Sequence, residues 1–132
     1  METELNFSSK LENLVVIERL IDDLCLQYNF SSEVYGNILV TMVEAVNNAI
    51  LHGNKCNSNK NVHIKYCVKN QYITFVVEDE GPGFNFENIP DPTLPENLEK
   101  PNGRGLFLMK HLVDDIKFLK NGAEVELKFK IA

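Results

Sequence analysis

The sequence has little of what membrane, secreted and zinc-binding proteins depend on. No window approaches the ~18 to 20 uninterrupted apolar residues of a membrane helix, and the start METELNFSSK lacks the order of basic, apolar and small residues that marks a signal peptide. The cysteines Cys25, Cys56 and Cys67 are odd in number and form no C-x-x-C pair, which argues against a disulfide framework and a zinc site. We therefore expect a cytoplasmic protein with reduced thiols.

Positive charge is also scarce, since 13 Lys and Arg face 19 Asp and Glu, for a formal net charge of -6. Binding to nucleic acid or anionic lipid is driven by neutralising cations, so this balance favours a protein or small-molecule partner. With 132 residues and 44% hydrophobic content, the chain is long enough for one compact core and too short for two ordinary domains. We expect a single domain over residues 1–132.

Two amphipathic helices are predicted in the first half of the chain. Residues 9–28 begin with the capping-box pair Ser9 and Glu12 and continue with apolar residues at helical spacing. The second helix is predicted to begin at the serines of positions 31–32 and to run to about position 52, with Gly53 as its C-terminal stop.

Two later segments alternate apolar and polar residues, which is typical of strands with one wet face. They are NVHIKYCV at 61–68 and AEVELKFKIA at 123–132. KNG at 120–122 predicts a hairpin that joins the last strand to a shorter one around 116–120. A sheet with one apolar face, together with amphipathic helices that cover it, implies a two-layer α/β sandwich.

The periodicity fails between Gly83 and Gly103, a stretch that also contains most of the prolines. All five prolines lie between positions 82 and 101, so neither a helix nor a ladder of strand hydrogen bonds is expected there. Structureless loops longer than ~12 to 15 residues are uncommon in compact domains and are usually functional lids or disordered linkers. The glycines at both ends favour a hinged lid at about 84–102.

The predicted strand QYITFVVED ends in acidic residues. Ile73, Phe75 and Val77 share the inward face, and Asp79 is the next member of that series, whereas Glu78 faces away. An inward carboxylate is costly unless it is paired, so Asp79 needs a donor, and an amino group on a bound ligand would supply one. The alternative is that Asp79 caps the EGPG turn, because Asp before glycine is common turn chemistry.

A polar cluster is predicted on the second helix, opposite its core stripe. Glu44 lies opposite that stripe, Asn48 stacks beside Glu44 one turn later, and Asn47 lies on the other flank. An Asn carbonyl suits a magnesium ion held with substrate phosphates, and a Glu can orient or deprotonate a hydroxyl nucleophile. The alternative is an ordinary solvated helix face. The predicted stripe consists of Tyr35, Leu39, Met42, Val46 and Ile50.

Gly103 and Gly105 are predicted to come immediately before a third amphipathic helix, in PNGRGLFLMKHLVDD. Amides at a helix N-terminus, together with the helix dipole, favour anions, and glycines let a phosphate approach the backbone closely. Arg104 adds a fixed positive charge. The alternative is that these glycines are turn residues and that Arg104 is simply solvated.

Four segments of the chain, taken in order, resemble the ATP-binding boxes of one ATPase superfamily, which includes gyrase, heat-shock chaperones, histidine kinases and mismatch-repair ATPases. The segments are EAVNNAILHGN, EDEGPGF, a proline-rich lid and GRGLFLMKHLVDD. More narrowly, the short single-domain form and the lid resemble the bacterial anti-sigma-factor serine/threonine kinases of partner-switching systems. The resemblance implies a Bergerat-type ATP-binding fold, in which a mixed, mostly antiparallel sheet carries helices on one face.

The resemblance also implies roles for individual residues. Glu44 would be the general base and Asn48 the magnesium ligand. Asp79 would receive the adenine amino group, with Gly81 and Gly83 shaping the adenine pocket. The nucleotide phosphates would be held beneath the lid by Gly103, Arg104, Gly105 and Leu106.

The implied function is an ATP- and magnesium-dependent serine/threonine kinase that phosphorylates an anti-anti-sigma protein and sequesters a sigma factor. A homodimer is expected, with no direct contact to nucleic acid or membrane. The alternative is a nucleotide-gated regulator, an anti-sigma factor without kinase activity. A catalytically dead adaptor is disfavoured because Glu44 and Asn48 are both present.

Overall fold

The structure, a computed structural model, describes residues 2–82 and 107–132 in full and residues 101–106 as helical backbone. The strands in these ranges are β1 (Glu2–Ser8), β2 (Asn61–Lys69), β3 (Tyr72–Glu78), β4 (Asp115–Leu119) and β5 (Glu124–Lys130). The α-helices are α1 (Leu14–Tyr28), α2 (Ser32–Asn48) and α3 (Pro101–Leu112).

The strands form one open sheet in the order β1-β2-β3-β5-β4. All four neighbouring pairs of these strands are antiparallel. The sheet is therefore antiparallel throughout the described residues, whereas the resemblance implies a mixed, mostly antiparallel sheet. Tight turns explain the antiparallel pairing of β2 with β3 and of β4 with β5. Asn70 and Gln71 turn β2 into β3 with φ values of 53° and 67°, and Asn121 in the predicted KNG hairpin has φ 57°. The two-layer α/β prediction is confirmed.

β1 has no counterpart among the predicted strands. It lies at the edge of the sheet, where it pairs along its whole length with β2. Opposite the buried residues of β2 it places Leu5 and Phe7, while most of its other residues are exposed and polar. With only these two apolar residues, the alternation in β1 is too short to predict a strand.

One hydrophobic core lies between the sheet and the helices. Ile73, Phe75 and Val77 of β3 are no more than 2% exposed, as the alternation predicts. They belong to the same cluster as buried residues of α1 and α2, such as Ile17 and Met42. Removing this apolar surface from water is the main favourable term in folding, at about 25 cal/mol per Å².

α2 and the turn that continues it, Ala49–Gly53, are buried over a wider sector than the predicted stripe. Met42, Val46 and Ile50 are fully buried as predicted, but Tyr35 and Leu39 are only half-buried. The prediction was incomplete because α2 packs against α1 and α3 as well as against the sheet, so residues on its flanks are covered too. The additional buried residues are Ile38, Thr41, Ala45 and Ala49.

The predicted helix starts have different outcomes. Ser31 caps α2, because its hydroxyl accepts a hydrogen bond from the Val34 amide at 3.1 Å, as predicted. The capping box at Ser9 is wrong, since α1 begins only at Leu14. Ser9 is fully buried, and its hydroxyl donates instead to the Lys60 carbonyl at 2.8 Å, which ties the end of β1 to the chain just before β2.

Within the described ranges, one helical stretch, Ser32–Gly53, is long and apolar enough to cross a membrane by length and composition. The core helix of a soluble protein passes the same test, so the finding is weak evidence for a membrane span. Here Ile38 and Met42 of this stretch are fully buried in the core.

Candidate functional site

Asp79 lies at the first position after β3, where the chain turns out of the sheet. Its side chain is half-buried, and its Oδ1 accepts a hydrogen bond from the Gly81 amide at 2.8 Å. Its Oδ2 receives no hydrogen bond from any described residue. Burial raises the pKa of Asp79, and the Gly81 amide partly offsets this rise. One carboxylate oxygen therefore caps the turn, while the other can accept a hydrogen bond from a ligand.

Two glycines make this arrangement sterically possible. A β-carbon at Gly53 would overlap the Asp79 carboxylate, and a β-carbon at Gly81 would overlap the carbonyl oxygen of Gly53. The end of the second helical segment and the turn after β3 are thus in direct backbone contact. Gly53 was predicted only as a helix stop, so its role beside Asp79 is new.

The helical segment changes its hydrogen-bonding pattern just before Gly53. α2 ends at Asn48 and continues as a wide turn over Ala49–Gly53, in which the Asn54 amide donates to the Ala49 carbonyl, five residues back, at 2.8 Å. The helical segment therefore reaches as far as predicted, to about position 52, but its last turn does not have α-helical hydrogen bonds. Wide turns of this π type occur frequently at functional sites.

Glu44 and Asn48 lie one turn apart near this end of α2, and both are half-buried. Glu44 makes no hydrogen bond or ion pair with the residues that the structure describes. The Nδ2 atom of Asn48 is fully buried and has no hydrogen-bond partner in the same ranges. A buried amide without a partner costs free energy, and a contact with a bound ligand or water would offset that cost.

The donor set fits a metal ion that arrives with a nucleotide rather than one held by the protein alone. No group of three or more His, Cys, Asp and Glu side chains that could hold a metal is found in the described part of the chain. Magnesium usually keeps several waters and shares its remaining positions with phosphates, so a single side-chain oxygen from Asn48 is compatible with it.

The prediction that Gly103 and Gly105 come immediately before the third helix is wrong, because α3 begins at Pro101 and both glycines lie inside its first turns. Proline is favoured at the first helical position because its φ suits a helix and its missing amide hydrogen would have no partner there. The amides of the first four residues of a helix still lack intrahelical acceptors, so the backbone of Gly103 remains suited to an anion.

The direction of α3 follows from its far end. His111 and Leu112 line a cleft together with Ser31 and Val34 from the start of α2. Since α2 and α3 pack together, they run antiparallel, and α3 begins towards the end of α2 that carries Asn48.

Several predicted site features lie outside what the structure describes. These are Gly83, the lid residues 84–100, and the side chains of Arg104 and Leu106. The remaining residues of the predicted lid, 101–102, open α3.

Glu78 faces away from the core, as its parity predicts. It forms an ion pair with Lys120 at the β4–β5 hairpin, and the hydrogen bond to Glu78 raises the pKa of Lys120. Its neighbour Asp79 lies instead against Gly53, at the end of the turn that follows α2.

The family model described as a histidine kinase-like ATPase domain matches residues 7–129. This chain belongs to that family. The predicted resemblance to this superfamily is confirmed, and the ATP-binding boxes named above lie within the matched residues of the ATPase domain.

Among curated proteins, the ATPase domain is 28% identical over 120 residues to the serine-protein kinase RsbW of Oceanobacillus iheyensis, with 86% of this chain and 76% of the relative covered. It is 29% identical over 124 residues to the anti-sigma F factor of Bacillus thuringiensis, with 91% and 84% covered. These relatives carry the two names that the narrower resemblance implies.

Among solved structures, one similar to the ATPase domain contains the RsbU and RsbW domains of a Mycobacterium tuberculosis protein. The TM-score is 0.71 at 12% sequence identity, over 99% of this chain. This chain spans 32% of that longer protein. At this identity the likeness supports the fold, and it agrees with the two-layer α/β architecture.

Proposed function

We propose that this ATPase domain is an ATP- and magnesium-dependent serine/threonine protein kinase and anti-sigma factor that phosphorylates an anti-anti-sigma partner. The names of its relatives, a serine-protein kinase and an anti-sigma factor, support this class. The observation that carries the proposal is the half-buried carboxylate of Asp79, with Oδ1 held by the Gly81 amide and Oδ2 without a hydrogen bond among the residues described.

Adenine recognition follows from the polarity of that oxygen. The exocyclic amino group of adenine is a donor and would pair with Oδ2 of Asp79, whereas a purine with a carbonyl at the same position would meet a second acceptor. A site built to accept a hydrogen bond discriminates against a ligand that cannot donate one. The absent side chains of Gly53 and Gly81 let the Asp79 turn and the end of the helix close together beneath the base, and Gly83 is proposed to complete the pocket.

The phosphates are proposed to lie between α3 and Asn48. The free amides of Gly103 and Arg104 in the first turn of α3 would donate to phosphate oxygens, and the Arg104 side chain would add a positive charge. Gly105 and Leu106 follow in the next turn. Asn48 would hold magnesium through its amide oxygen. Bound magnesium supplies neutralisation of the charge that develops on the transferred phosphoryl group.

Glu44 is proposed to accept the proton of the attacking serine hydroxyl. It lies one helical turn from Asn48, about 6 Å along the helix axis, and no described side chain competes for its carboxylate. Phosphoryl transfer depends mainly on positioning and electrostatics, so a base on the helix that also binds the metal is sufficient.

The partners follow from the same proposal. The acceptor is an anti-anti-sigma protein, and the domain binds a sigma factor when that acceptor is phosphorylated. A net charge of -6 suits action through proteins rather than on nucleic acid or anionic lipid. We place this activity in the cytoplasm and expect the domain to act as a homodimer.

A two-step experiment tests the proposal. Proteins that bind the purified chain are recovered separately in ATP and in ADP, and each is then incubated with the chain and ATP labelled on its γ-phosphate. We expect label on a serine or threonine of a recovered partner. Nucleotide-dependent recovery without transfer would support the alternative, a nucleotide-gated regulator. Failure to bind ATP would overturn both functions.

A further inference from the structure

Asn54 is the first residue after the wide turn that ends at Gly53, and it is 1% exposed. Its Nδ2 donates to Ser9 Oγ at 2.7 Å and to the Asn61 carbonyl at 2.9 Å. Its Oδ1 accepts a hydrogen bond from the Glu80 amide at 2.7 Å. Both amide hydrogens and the carbonyl oxygen of this buried side chain are thus engaged.

The main chain of Asn54 makes a fourth connection. Its amide donates to the Ala49 carbonyl at 2.8 Å and so closes the wide turn that follows Asn48. One residue therefore links the end of the helix that carries Glu44 and Asn48 to the turn that carries Asp79. The base-binding and phosphate-binding sides of the proposed site meet at this point.

The contact with Glu80 has a consequence for its neighbour. The Glu80 amide is bonded to Asn54, and the next amide, that of Gly81, is bonded to Asp79 Oδ1. Two successive amides of the turn are thus held in place. Because Gly53 and Gly81 contribute no side chains, hydrogen bonds rather than side-chain packing orient the turn at this contact.

We propose that Asn54 is a positioning residue for nucleotide recognition, which holds the turn after β3 so that Asp79 Oδ2 meets the amino group of the bound purine. The inference rests on the proposed ATP-binding function. Asn54 acts through Asp79 and does not itself touch the nucleotide.

A purely structural Asn54 and a positioning Asn54 differ in one measurable property. Loss of any buried hydrogen bond lowers stability, but only a displaced Asp79 changes the preference between purines. ATP carries an amino group at position 6 of the base, whereas inosine triphosphate carries a carbonyl there. The ratio of the two dissociation constants therefore reports the position of Oδ2 and is insensitive to a uniform loss of affinity.

The first test compares Asn54→Ala with Ser9→Ala in the full chain. Both substitutions remove hydrogen bonds of the same buried cluster, but Ser9→Ala leaves the bond between Asn54 and Glu80 intact. Calorimetric titration with each nucleotide should show the preference for ATP falling about tenfold in Asn54→Ala, the worth of a displaced hydrogen bond. Ser9→Ala should keep the wild-type ratio. Equal ratios in both variants would overturn the positioning role.

A second pair of variants, at Glu80, removes the same hydrogen bond from the donor side. This pair tests the positioning role of Asn54 if Asn54→Ala does not fold. Glu80→Pro removes both the side chain and the amide that donates to Asn54 Oδ1. Glu80→Ala removes only the side chain, which accepts a hydrogen bond from the Asn61 amide and pairs with His63, so the difference between the two variants isolates the amide. We expect the purine preference to fall in the proline variant and to persist in the alanine variant. If both keep the preference, Asn54 does not position Asp79.

The wild-type chain separates this inference from the function on which it rests. A wild type that binds neither nucleotide, or binds both equally, would contradict the proposed adenine site itself. A wild type that prefers ATP, with an Asn54→Ala variant that prefers ATP equally, would contradict the role of Asn54 alone.

Discussion

Gly53 and Asp79 are in such close contact that even one added β-carbon at position 53 would overlap the carboxylate. The two residues come from different elements, since Gly53 ends the turn after α2 and Asp79 follows β3. This contact places the proposed base-binding acid at the end of the helix that carries Glu44 and Asn48.

Gly53→Ala should weaken ATP binding at least about tenfold, because a displaced Asp79 forfeits a charge-assisted hydrogen bond worth about 1.5 to 3 kcal/mol. Calorimetry measures the affinity. Gly36→Ala is the matched control on α2, where an added β-carbon meets nothing within 4 Å. It should keep ATP affinity and stabilise the helix by about 0.5 to 1 kcal/mol. Wild-type affinity in Gly53→Ala would contradict the close contact.

Asp79→Asn should weaken ATP binding about ten- to a hundredfold, since an amide is a weaker acceptor than a carboxylate and can present a donor to the adenine amino group. Glu78→Gln, which changes the outward neighbour, should bind ATP as the wild type does. The two affinities are compared by calorimetry in the same buffer. Near-wild-type binding by Asp79→Asn would remove Asp79 from the adenine role.

The stability of the ligand-free protein should depend on pH through the same carboxyl. Burial raises the pKa of Asp79 above its ordinary value of 3.8, so its contribution to stability is fully present below pH 3.8 and is lost as the pH rises through the folded-state pKa. At pH 7, Asp79→Asn should therefore unfold at higher urea concentration than the wild type. The difference in urea midpoint between the two proteins should narrow as the pH falls towards 3.8. A difference that stays constant with pH would contradict a raised pKa for Asp79.

Glu44→Gln should bind ATP with wild-type affinity yet transfer phosphate about 10²- to 10⁴-fold more slowly, the usual contribution of a general base. Labelling of the acceptor protein measures the transfer. Glu33→Gln is the control, since Glu33 lies exposed in the first turn of the same helix. Undiminished labelling by Glu44→Gln would exclude Glu44 as the base.

Asn48→Ala should lower ATP affinity in magnesium to the level measured in a chelator, because the magnesium-dependent part of the binding free energy needs its side-chain oxygen. The adjacent Asn47→Ala should keep the full effect of magnesium. Titrations with and without the metal give the comparison. A normal response to magnesium in Asn48→Ala would remove it as the metal ligand.

The predicted elements that hold in the structure are those whose signals are local. Alternation places Ile73, Phe75 and Val77 in the core, and the same parity directs Asp79 inward. From the sequence, turn capping and ligand binding are alternative roles for Asp79. The described geometry is compatible with both, because the carboxylate has two oxygens and the Gly81 amide uses one.

The sequence by itself determined the inward acid after β3, the helix that carries Glu44 and Asn48, and the membership of the ATPase family, because side-chain periodicity and motif order are properties of neighbouring residues. Only the tertiary structure decided that Gly53 touches Asp79 and that Asn54 joins Ser9 to the turn at Glu80. Those contacts connect segments far apart in the chain. No local pattern encodes which distant backbone will approach a glycine or satisfy a buried amide.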